Sequence, residues 1–377
     1  MRVLVCGGAG YVGAQLVKQL LTSSSHAVVV LDNLSASAGS YRHLLPYLHP
    51  PTGAPPADPR NLAHLEVGEL HDEAFVEAVF QRHDPIDAVA HLCSYIDVAE
   101  SVREPLLYYD NAVRSTLCLL HVMRRHHCHQ LVFSSSAAVF GDAQQSTGGA
   151  VAFPLIASDA PAQPTSPYGR SKAMVETILR DCTAAAAAAA GDERAASQLR
   201  VVALRYFNVC GADGDLGEVR ARESHLIPLL LRAAQAAGAS PTLSPPPFAI
   251  YGGDYPTPDG TCVRDYIHVA DIARAHMQSL VYLTSPAAAR QPFTAVNVGT
   301  SRGTSVLEVV AAVRAVTGCA LPVAVRPRRP GDPAVLVADG SAAQSVLGWR
   351  PQCTSIREMV ESAWRFVCAH PKGYDAG

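Results

Sequence analysis

The stretch "VLVCGGAGYVG", residues 3–13, decides the fold, because it places a glycine-rich turn between an apolar run and a helical pattern. Gly7, Gly10 and Gly13 have the spacing of a turn that lets the backbone approach a pyrophosphate. The N-terminus of the helix that follows would stabilise the negative charge of that group. A second apolar run ends at Asp32, where a carboxylate can hold a ribose hydroxyl pair. The same carboxylate would repel a 2′-phosphate, so the pattern favours NAD over NADP.

Short apolar runs alternate with longer helical patterns through the first two-thirds of the chain. Six strands are expected, within residues 2–8, 26–33, 63–70, 87–94, 130–137 and 200–209. The pattern at residues 105–126 predicts one long helix. Alternation of this kind predicts an α/β fold, with a doubly wound parallel sheet of the Rossmann type and helices on both faces.

The alternation weakens after the sixth strand, where proline and glycine punctuate shorter elements. We expect residues 1–207 to form the dinucleotide-binding domain and residues 208–377 to form mainly a smaller mixed α/β domain, with residues 262–300 returning to the first. Ser305 and Glu308 form a capping box that predicts a helix start in the second part. Stretches of biased composition are expected to be surface insertions, at 49–60, 184–190 and 238–247, although the alanine run at 184–190 could simply lengthen the helix that carries Tyr168.

Composition and charge exclude several classes of protein. The chain has 377 residues, of which 49% are hydrophobic, and its formal net charge is −3. Because the charges are well mixed, neither a nucleic-acid-binding stripe nor an amphipathic membrane anchor is expected. No apolar run approaches the roughly 20 residues that span a bilayer. The start "MRVLVCGGAG" is too short and too glycine-rich for a signal peptide, and the chain does not end in a peroxisomal signal.

The ten cysteines form no CxxC pair, and most lie in apolar strand or helix patterns. We expect them to be reduced packing residues of a cytoplasmic protein, and neither disulfides nor zinc ligands. The histidine-rich stretch 121–130 precedes a strand, so it is expected to be a helix end and a loop. No metal site is predicted.

A second motif lies in "SPYGRSKAMVE", residues 166–176. Ser166 suits the N-cap of a helix, and Pro167 suits its first position. Tyr168 and Lys172 are four residues apart and therefore share one face of that helix. An isolated pair of this kind is usually a solvated surface pair, so its role depends on what lies above that face.

Several motifs occur together, in one order, along nearly the whole chain. They are "GGAGYVG", "LDNLS", "FSSSAAVFGD", "SPYGRSKAMVE", "LRYFNVCGA", "YPTPDGTCVRDYIHV" and "RRPGDP". In this order the chain resembles the extended short-chain dehydrogenase/reductase superfamily and, within it, the UDP-glucose (UDP-galactose) 4-epimerases. The glycine motif and the YxxxK pair are general to the superfamily, whereas "DGTCVRDYIHV" and "RRPGDP" are much more specific.

The resemblance implies an isomerase that interconverts UDP-galactose and UDP-glucose with tightly bound NAD. Tyr168 would remove the proton of the sugar 4-hydroxyl while hydride leaves C4, and the 4-keto sugar would rotate before hydride returns. Lys172 and the positive nicotinamide are expected to lower the pKa of the Tyr168 phenol. By likeness Ser136 would bind the reacting oxygen, although the residues alone do not distinguish Ser134, Ser135 and Ser136.

The resemblance also implies contacts to both ligands. The cofactor-binding residues would be Gly7, Gly10, Tyr11, Val12, Gly13, Asp32, Asn33, Glu69, Leu70, Leu92, Cys93, Ser94, Asn111, Tyr168, Lys172 and Phe207. The substrate-binding residues would be Ser136, Tyr168, Asn208, His225, Leu226, Tyr251, Arg264, Arg329, Asp332 and Leu336. The resemblance implies that Arg264 and Arg329 bind the diphosphate of a UDP-sugar. This role agrees with their chemistry, because guanidinium groups suit phosphate oxygens.

Some positions depart from the family pattern. Ile96 stands where many bacterial members carry a lysine, and Asp97 stands where they carry a small residue. Ala137 and Ala138 replace the acidic residue that related dehydratases and decarboxylases carry after the strand-end hydroxyl, which favours plain oxidation and reduction at C4. Leu336 borders the sugar pocket by likeness, and its size leaves selection between hexoses and N-acetylhexosamines open.

Two other functions remain open from the sequence. The chain could be another UDP-sugar 4-epimerase, acting on a pentose, a uronate or an N-acetylhexosamine, or a catalytically silent NAD-binding regulator. The family resemblance further implies a homodimer, in which the helices after Pro105 and Pro167 pair into a four-helix bundle.

Overall fold

The computed structural model describes residues 1–23, 26–35, 40–48, 62–141, 155–189, 198–220, 222–239, 247–329 and 332–375. The insertion predicted at 49–60 and most of the one at 238–247 lie outside these residues. The alanine-rich stretch instead lengthens the helix that carries Tyr168, which runs to Ala189. Among the described residues, no helix is both long enough and apolar enough to cross a bilayer.

Strands alternate with helical segments up to Tyr206, as the sequence predicts, and the alternation weakens after it. The strands are β1 (Arg2–Cys6), β2 (Ala27–Asp32), β3 (Ala63–Val67), β4 (Ala88–His91), β5 (Gln130–Ser136), β6 (Arg200–Tyr206), β7 (Asn208–Cys210), β8 (Phe248–Tyr251), β9 (Val263–His268), β10 (Phe293–Val298), β11 (Gly303–Ser305), β12 (Val323–Arg326) and β13 (Val335–Leu336). The α-helices are α1 (Tyr11–Ser23), α2 (Leu45–Leu48), α3 (Glu73–Arg82), α4 (Val98–Arg103), α5 (Pro105–Tyr109), α6 (Ser115–Arg125), α7 (Pro167–Ala189), α8 (Leu226–Ala239), α9 (Val269–Leu283), α10 (Pro286–Arg290), α11 (Val306–Thr317), α12 (Ser341–Leu347) and α13 (Ile356–Ala369).

Seven parallel strands form the main sheet, in the order β10-β6-β5-β4-β1-β2-β3. Both faces are buried, so successive residues of β1 belong to different cores. Val3 and Val5 pack with α1 and α9, whereas Leu4 and Cys6 pack with α3, α6 and α7. This explains why the strands are almost continuously apolar. The predicted doubly wound Rossmann fold is confirmed.

The direction of winding reverses between β1 and β4. The chain proceeds from β1 outward to β2 and β3, then returns to β4 on the other side of β1. In a doubly wound sheet, the crevice beyond the carboxyl ends of these central strands is where ligands bind. The glycine loop and the polar residues after β4 and β5 all lie at this end.

The C-terminal half contributes two smaller sheets and a separate core. In one sheet β9 pairs with β7, β11 and β13, and in the other β8 pairs with β12. Helices α8, α11 and α13 pack together through buried side chains, which include Leu230, Val310 and Met359. The predicted capping box is present, because Ser305 accepts from the Glu308 N–H and Glu308 accepts from the Ser305 N–H.

Two predicted elements are divided. The strand expected over 200–209 ends at Tyr206, and the chain then leaves the main sheet at Phe207 to pair β7 with β9. The long helix expected over 105–126 is interrupted by a π-helical turn at Asp110–Arg114. Such turns occur often at functional sites, and this one contains Asn111.

Candidate active site

The glycine loop packs directly against the end of β4. Gly7 has φ +84°, and a Cβ atom there would lie 2.9 Å from the backbone nitrogen of Cys93. A Cβ atom at Gly13 would overlap the carbonyl oxygen of Gly7, which already accepts from the Gly10 N–H at 3.1 Å. Glycine is therefore required for the turn, and the loop leaves its backbone open to a ligand at the start of α1.

Asp32 links the end of β2 to this loop. Its buried carboxylate accepts from the Ala9 N–H at 2.9 Å and from the Leu34 N–H at 2.7 Å. Burial raises the pKa of the carboxyl, and the two backbone donors oppose this shift. Since a carboxylate oxygen can accept a second hydrogen bond, Asp32 remains able to bind a ribose hydroxyl pair.

Two of the predicted cofactor-binding residues, Asn33 and Glu69, come together at the rim of the crevice. The Asn33 amide donates to both carboxylate oxygens of Glu69, at 3.1 and 3.2 Å. Leu70 is buried in the core behind them. Tyr11, at the start of α1, donates from its hydroxyl to the carbonyl oxygen of Gly211 at 2.5 Å, which ties the glycine loop to the segment after β7.

The segment after β4 is held by the π-helical turn. Leu92 extends the ladder by donating from its N–H to the Cys6 carbonyl at 2.8 Å. The side-chain oxygen of Asn111 accepts from the Tyr95 N–H at 3.0 Å, and Ser94 donates to the Tyr95 carbonyl at 2.9 Å. Asn111 thus fixes the loop that carries the predicted cofactor contacts Leu92, Cys93 and Ser94.

The structure distinguishes the three serines at the end of β5. The Ser134 hydroxyl bonds the Tyr206 hydroxyl at 2.7 Å, and the Ser135 hydroxyl donates to Glu176 at 2.5 Å. Ser136 bonds the Tyr168 phenol and also accepts from the Ala138 N–H at 3.1 Å. Of the three serines, Ser136 is therefore the one that faces the phenol.

Tyr168 and Lys172 lie on one buried face of α7. The helix begins as predicted, since Ser166 accepts from the Gly169 N–H at 3.1 Å and Pro167 is the first helical residue. The Lys172 ammonium donates to the Ser134 carbonyl oxygen at 2.7 Å and lies 5.9 Å from the centroid of the Tyr168 ring. Burial lowers the pKa of Lys172 to about 8, although Cys93 and Glu176 oppose the shift.

Without a cofactor above its ring, Tyr168 has a raised pKa, whereas the lowering expected from the sequence includes the positive nicotinamide. Burial raises the pKa of the phenol, and this outweighs the lowering by the Ser136 hydrogen bond and the Arg220 charge. The loss of hydration destabilises the phenolate by more than the Ser136 hydrogen bond and the Arg220 charge stabilise it. Activation of Tyr168 as a base therefore requires further positive charge above the ring, such as an oxidised nicotinamide.

Sequence reasoning missed Tyr108, whose ring meets Tyr168 edge-on with centroids 6.3 Å apart. The Tyr108 hydroxyl donates to Glu100 at 2.9 Å and accepts from the Asp97 N–H at 3.1 Å. Asp97 in turn caps α4 by accepting from the Glu100 N–H at 2.9 Å. The unusual Asp97 is thus a helix cap, and the DxxE spacing at 97–100 is the sequence signal for it.

A second missed group is the ion pair between Glu218 and its neighbours. Its buried carboxylate pairs with Arg220 and His225, each at 2.7 Å. Burial would raise the pKa of Glu218, but these two partners hold it at about 2. Glu218, Glu223 and His225 have possible metal-ligand atoms within 4.8 Å of one another. The Arg220 guanidinium, however, already donates a hydrogen bond to the Glu218 carboxylate.

The predicted substrate residues of the C-terminal half form two contacts around β9. Arg264 is buried and forms an ion pair with Asp332, while the Arg329 guanidinium lies 4.1 Å from the centroid of the Tyr251 ring. Leu336 pairs with Arg264 in the β13–β9 register. Two arginines, a carboxylate and an exposed aromatic ring together match the chemistry of a nucleoside diphosphate.

A small apolar cluster connects this half to the end of the main sheet. Phe207, immediately after β6, packs with Val139 and Phe140, which follow the serine-rich end of β5, and Leu336 packs against the cluster. Asn208 begins β7 beside β9, and Leu226 begins α8 directly after His225. The cluster therefore places β13 next to the strand ends that carry Ser136 and Phe207.

Comparison with known proteins agrees with this geometry. The model of the NAD dependent epimerase/dehydratase family matches residues 3–299. UDP-glucose 4-epimerase of Streptomyces lividans is 40% identical over 99% of this chain and 98% of its own length. The enzyme of the same name from Streptococcus mutans is 38% identical over 100% of this chain and 99% of its own.

Solved structures show the same relationship. The structure of UDP-glucose 4-epimerase from Bifidobacterium longum, in complex with NAD+ and UDP, is 35% identical in sequence to this chain. It superposes with a TM-score of 0.82 over 99% of this chain and 100% of that one. The likeness therefore includes both the main sheet and the C-terminal half.

Proposed function

The chain belongs to the NAD dependent epimerase/dehydratase family, and we propose that it interconverts UDP-galactose and UDP-glucose as a UDP-glucose 4-epimerase. The observation that carries this function is the group of Ser136 and the buried Tyr168 and Lys172 at the carboxyl edge of the sheet, in a chain similar to such enzymes over its full length. The enzyme is an NAD-dependent isomerase.

NAD fits the residues of the glycine loop, where a Cβ atom at Gly7 or Gly13 would meet the protein's own backbone, so that only glycine allows the tight turn that brings the backbone to a pyrophosphate. Asp32 would hold the adenosine ribose, with Asn33 and Glu69 at the rim and Asn111 fixing the loop on the nicotinamide side. When bound, NAD would supply reversible hydride transfer at the sugar C4.

The chain's own residues handle the proton. Tyr168 would take it from the sugar 4-hydroxyl at its phenolic oxygen, and Ser136, which bonds that phenol, would hold the same hydroxyl. Lys172 keeps a positive charge near the ring, fixed by the Ser134 carbonyl. Ala137 and Ala138 follow Ser136 and transfer no protons, so the chemistry stays at oxidation and reduction of C4.

The UDP half of the substrate would lie between β9 and the segment after β12. Arg264 and Arg329 would bind the diphosphate, Asp332 the ribose, and Tyr251 the uracil. Residues at the ends of β6 and at the start of α8 would hold the sugar nucleotide, namely Asn208, His225 and Leu226. Leu336, beside Arg264, would border the sugar.

The test is incubation of the purified protein with UDP-galactose, without added cofactor, followed by chromatography for UDP-glucose. We expect conversion towards equilibrium. A lack of turnover would favour the silent NAD-binding regulator, whereas faster turnover of a UDP-pentose, a UDP-uronate or a UDP-N-acetylhexosamine would select another 4-epimerase.

We also propose a homodimer through helices α4 to α7. Large apolar side chains are exposed on this part of the surface: Leu106 is 80% and Val102 64% exposed, and Met174 is also exposed. Exposed apolar patches of this kind mark protein interfaces. Light scattering should give twice the monomer mass for the wild type, and Leu106→Arg should lower it; a monomeric wild type would refute the dimer.

The division into a domain of residues 1–207 and a domain of mainly 208–377 is likewise a proposal. It is supported by the separate core of α8, α11 and α13, while β10 pairs with β6 in the main sheet. A cytoplasmic location is proposed from the ten cysteines, all of which are free thiols.

A further inference from the structure

A buried chain of hydrogen bonds runs from the end of β5 to helix α9. The Ser134 hydroxyl lies 2.7 Å from the Tyr206 hydroxyl, which lies 2.6 Å from Nε2 of His276. Nδ1 of His276 lies 3.0 Å from the carbonyl oxygen of Ile272. The side chain of His276 is fully buried, and that of Ser134 is nearly so. The mechanism proposed above gives no role to the side chains of Ser134, Tyr206 or His276.

The direction of each hydrogen bond follows from the Ile272 carbonyl, which can only accept. Nδ1 of His276 must therefore carry the proton. Because burial lowers the pKa of His276 to about 4, the ring is neutral, so Nε2 accepts and the Tyr206 hydroxyl donates to it. The Tyr206 oxygen is then left to accept from Ser134. One arrangement satisfies all members of the chain of bonds.

Tyr206 stands between two strand ends that carry the site. On one side, Ser134 supplies the carbonyl that holds Lys172, and Ser136 two residues on bonds Tyr168. On the other side, Tyr206 is the last residue of β6 and precedes the predicted ligand contacts Phe207 and Asn208. A fixed Tyr206 therefore fixes the ends of both β5 and β6.

We propose that Tyr206 and His276 are positioning residues of the epimerase reaction, which hold the end of β5 so that Ser136 and Lys172 meet Tyr168 in the productive geometry. This inference rests on the proposed function. The side chains act through Ser134 and not on the substrate, so they are expected to affect the chemical step more than substrate binding.

Tyr206→Phe tests the link, because it removes one hydroxyl and keeps the ring. We expect kcat with UDP-galactose to fall about 3- to 10-fold, the rate equivalent of one hydrogen bond, while KM changes less than about twofold. Ser134→Ala should give a similar loss. The double variant should lose no more than either single one, because both remove the same bond.

Tyr282→Phe is the matched control. Tyr282 also lies on α9, and its hydroxyl bonds Thr294 on β10 at 3.3 Å, without a link to Lys172. It should keep near-wild-type kcat at a comparable loss of thermal stability. A kcat within twofold of the wild type in both Tyr206→Phe and Ser134→Ala, or an equal loss in Tyr282→Phe, overturns the proposal.

A second measurement does not depend on turnover. The sequence contains three lysines, so protein labelled with 13C at lysine Cε gives three signals, and Lys172→Arg identifies that of Lys172. The charged and titratable groups that face Lys172 are Tyr168 and Glu176 on α7, His91 at the end of β4 and Cys93 just after that strand. All of the variants keep these groups.

With NAD saturating, the Lys172 titration in Tyr206→Phe should move about half a pH unit or more to lower pH, because a buried ammonium with a weaker acceptor loses its proton earlier. Tyr282→Phe should titrate as the wild type does. An unchanged midpoint in Tyr206→Phe overturns the proposal. Absence of turnover in the wild type would refute the proposed function instead, and this titration would still decide on the positioning role.

Discussion

Lys172 donates a 2.7 Å hydrogen bond from its ammonium to the main-chain carbonyl oxygen of Ser134, on the strand that also carries Ser136. The cation beneath Tyr168 is therefore positioned by the backbone of the adjacent strand. Since burial raises the pKa of Tyr168 and lowers that of Lys172, the site disfavours charge on both residues when the protein is alone. Base catalysis thus depends on the bound cofactor as well as on the pair.

Tyr168→Phe should abolish nearly all turnover while NAD and UDP-sugar still bind. The ring and its edge-on contact with Tyr108 survive, and only the proton-accepting oxygen is lost. General acid–base groups typically contribute about 10²–10⁴-fold, so we expect a loss of that size in kcat, measured by conversion of UDP-galactose. Retention of more than about a tenth of the activity would remove Tyr168 from this role.

Protein purified without added nucleotide should carry NAD or NADH. The reaction regenerates the cofactor in each cycle, and the buried Asp32 carboxylate favours the form without a 2′-phosphate. Acid extraction followed by chromatography identifies the nucleotide. Gly13→Ala, whose Cβ atom would overlap the Gly7 carbonyl, should release it. Recovery of mainly NADP would contradict the assignment.

Six of the seven strands of the main sheet were predictable because each is a short apolar run that alternates with a helix, whereas β10 was expected only as part of a segment that returns to the first domain. The end of the sixth strand was not predictable, because "RYFNV" contains no glycine or proline and nothing local shows that Phe207 leaves the sheet. The π-helical turn at Asn111 was also missed, since its sequence fits a regular helix. In both cases long-range pairing decides the local structure.

At the site, too, local sequence patterns predicted some features, whereas contacts between distant parts of the chain decided the others. Tyr168 and Lys172 follow from helix periodicity, but only the fold shows which serine meets the phenol. The buried pair of Glu218 and Arg220 lies in a glycine-containing segment without regular structure, so no period marks it. The only sequence feature that would have suggested this ion pair is the presence of charged residues shortly after a buried strand.

Glu176→Gln should strongly destabilise the protein. The Glu176 carboxylate forms two hydrogen bonds with the buried Arg205 guanidinium, at 2.9 and 2.6 Å, and also accepts from Ser135. Removal of one partner leaves the Arg205 charge buried and uncompensated, which typically costs about 3–5 kcal/mol. Urea unfolding measures this change.

Glu361→Gln is the control for that measurement. Glu361 pairs with Arg357 across one turn of α13, where both side chains are exposed to solvent. Exposed pairs of this spacing contribute about 0.3–0.5 kcal/mol. Equal losses in Glu176→Gln and Glu361→Gln would mean that burial of the Arg205 pair has no energetic effect.

His225 should stabilise the fold in a pH-dependent way. Burial disfavours its charged form, but the Glu218 carboxylate at 2.7 Å outweighs this and raises the pKa of His225. A raised pKa gives stability that is fully present below the unfolded value of about 6.5 and is lost as the pH rises through the folded value. His225→Asn should therefore destabilise most in mildly acidic solution.

Urea midpoints of the wild type and His225→Asn, measured from pH 5 to pH 9 in about one-unit steps, test this. The gap between the two proteins should shrink with rising pH. In a Glu218→Gln background, the substitution of His225 should lose its pH dependence, because the partner charge is gone. A gap that widens towards alkaline pH would show that the sign of the coupling is wrong.

Leu336 should restrict the size of the sugar. It pairs with Arg264 across β13 and β9 and packs against the cluster that contains Phe207. An N-acetyl group would meet its methyl groups, and overpacking typically costs about 1–3 kcal/mol. Since about 1.4 kcal/mol is a tenfold change, UDP-N-acetylgalactosamine should be used roughly 5- to 150-fold less well than UDP-galactose.

Leu336→Cys should narrow this preference, because cysteine is smaller and leaves room for the acetyl group. The measurement is the ratio of kcat/KM for the two substrates in each protein. Val335→Cys is the matched control, since the neighbouring residue of a strand points to the opposite face and should leave the ratio unchanged. If the wild type uses both substrates equally, or if the two variants change the ratio alike, then Leu336 does not select the sugar.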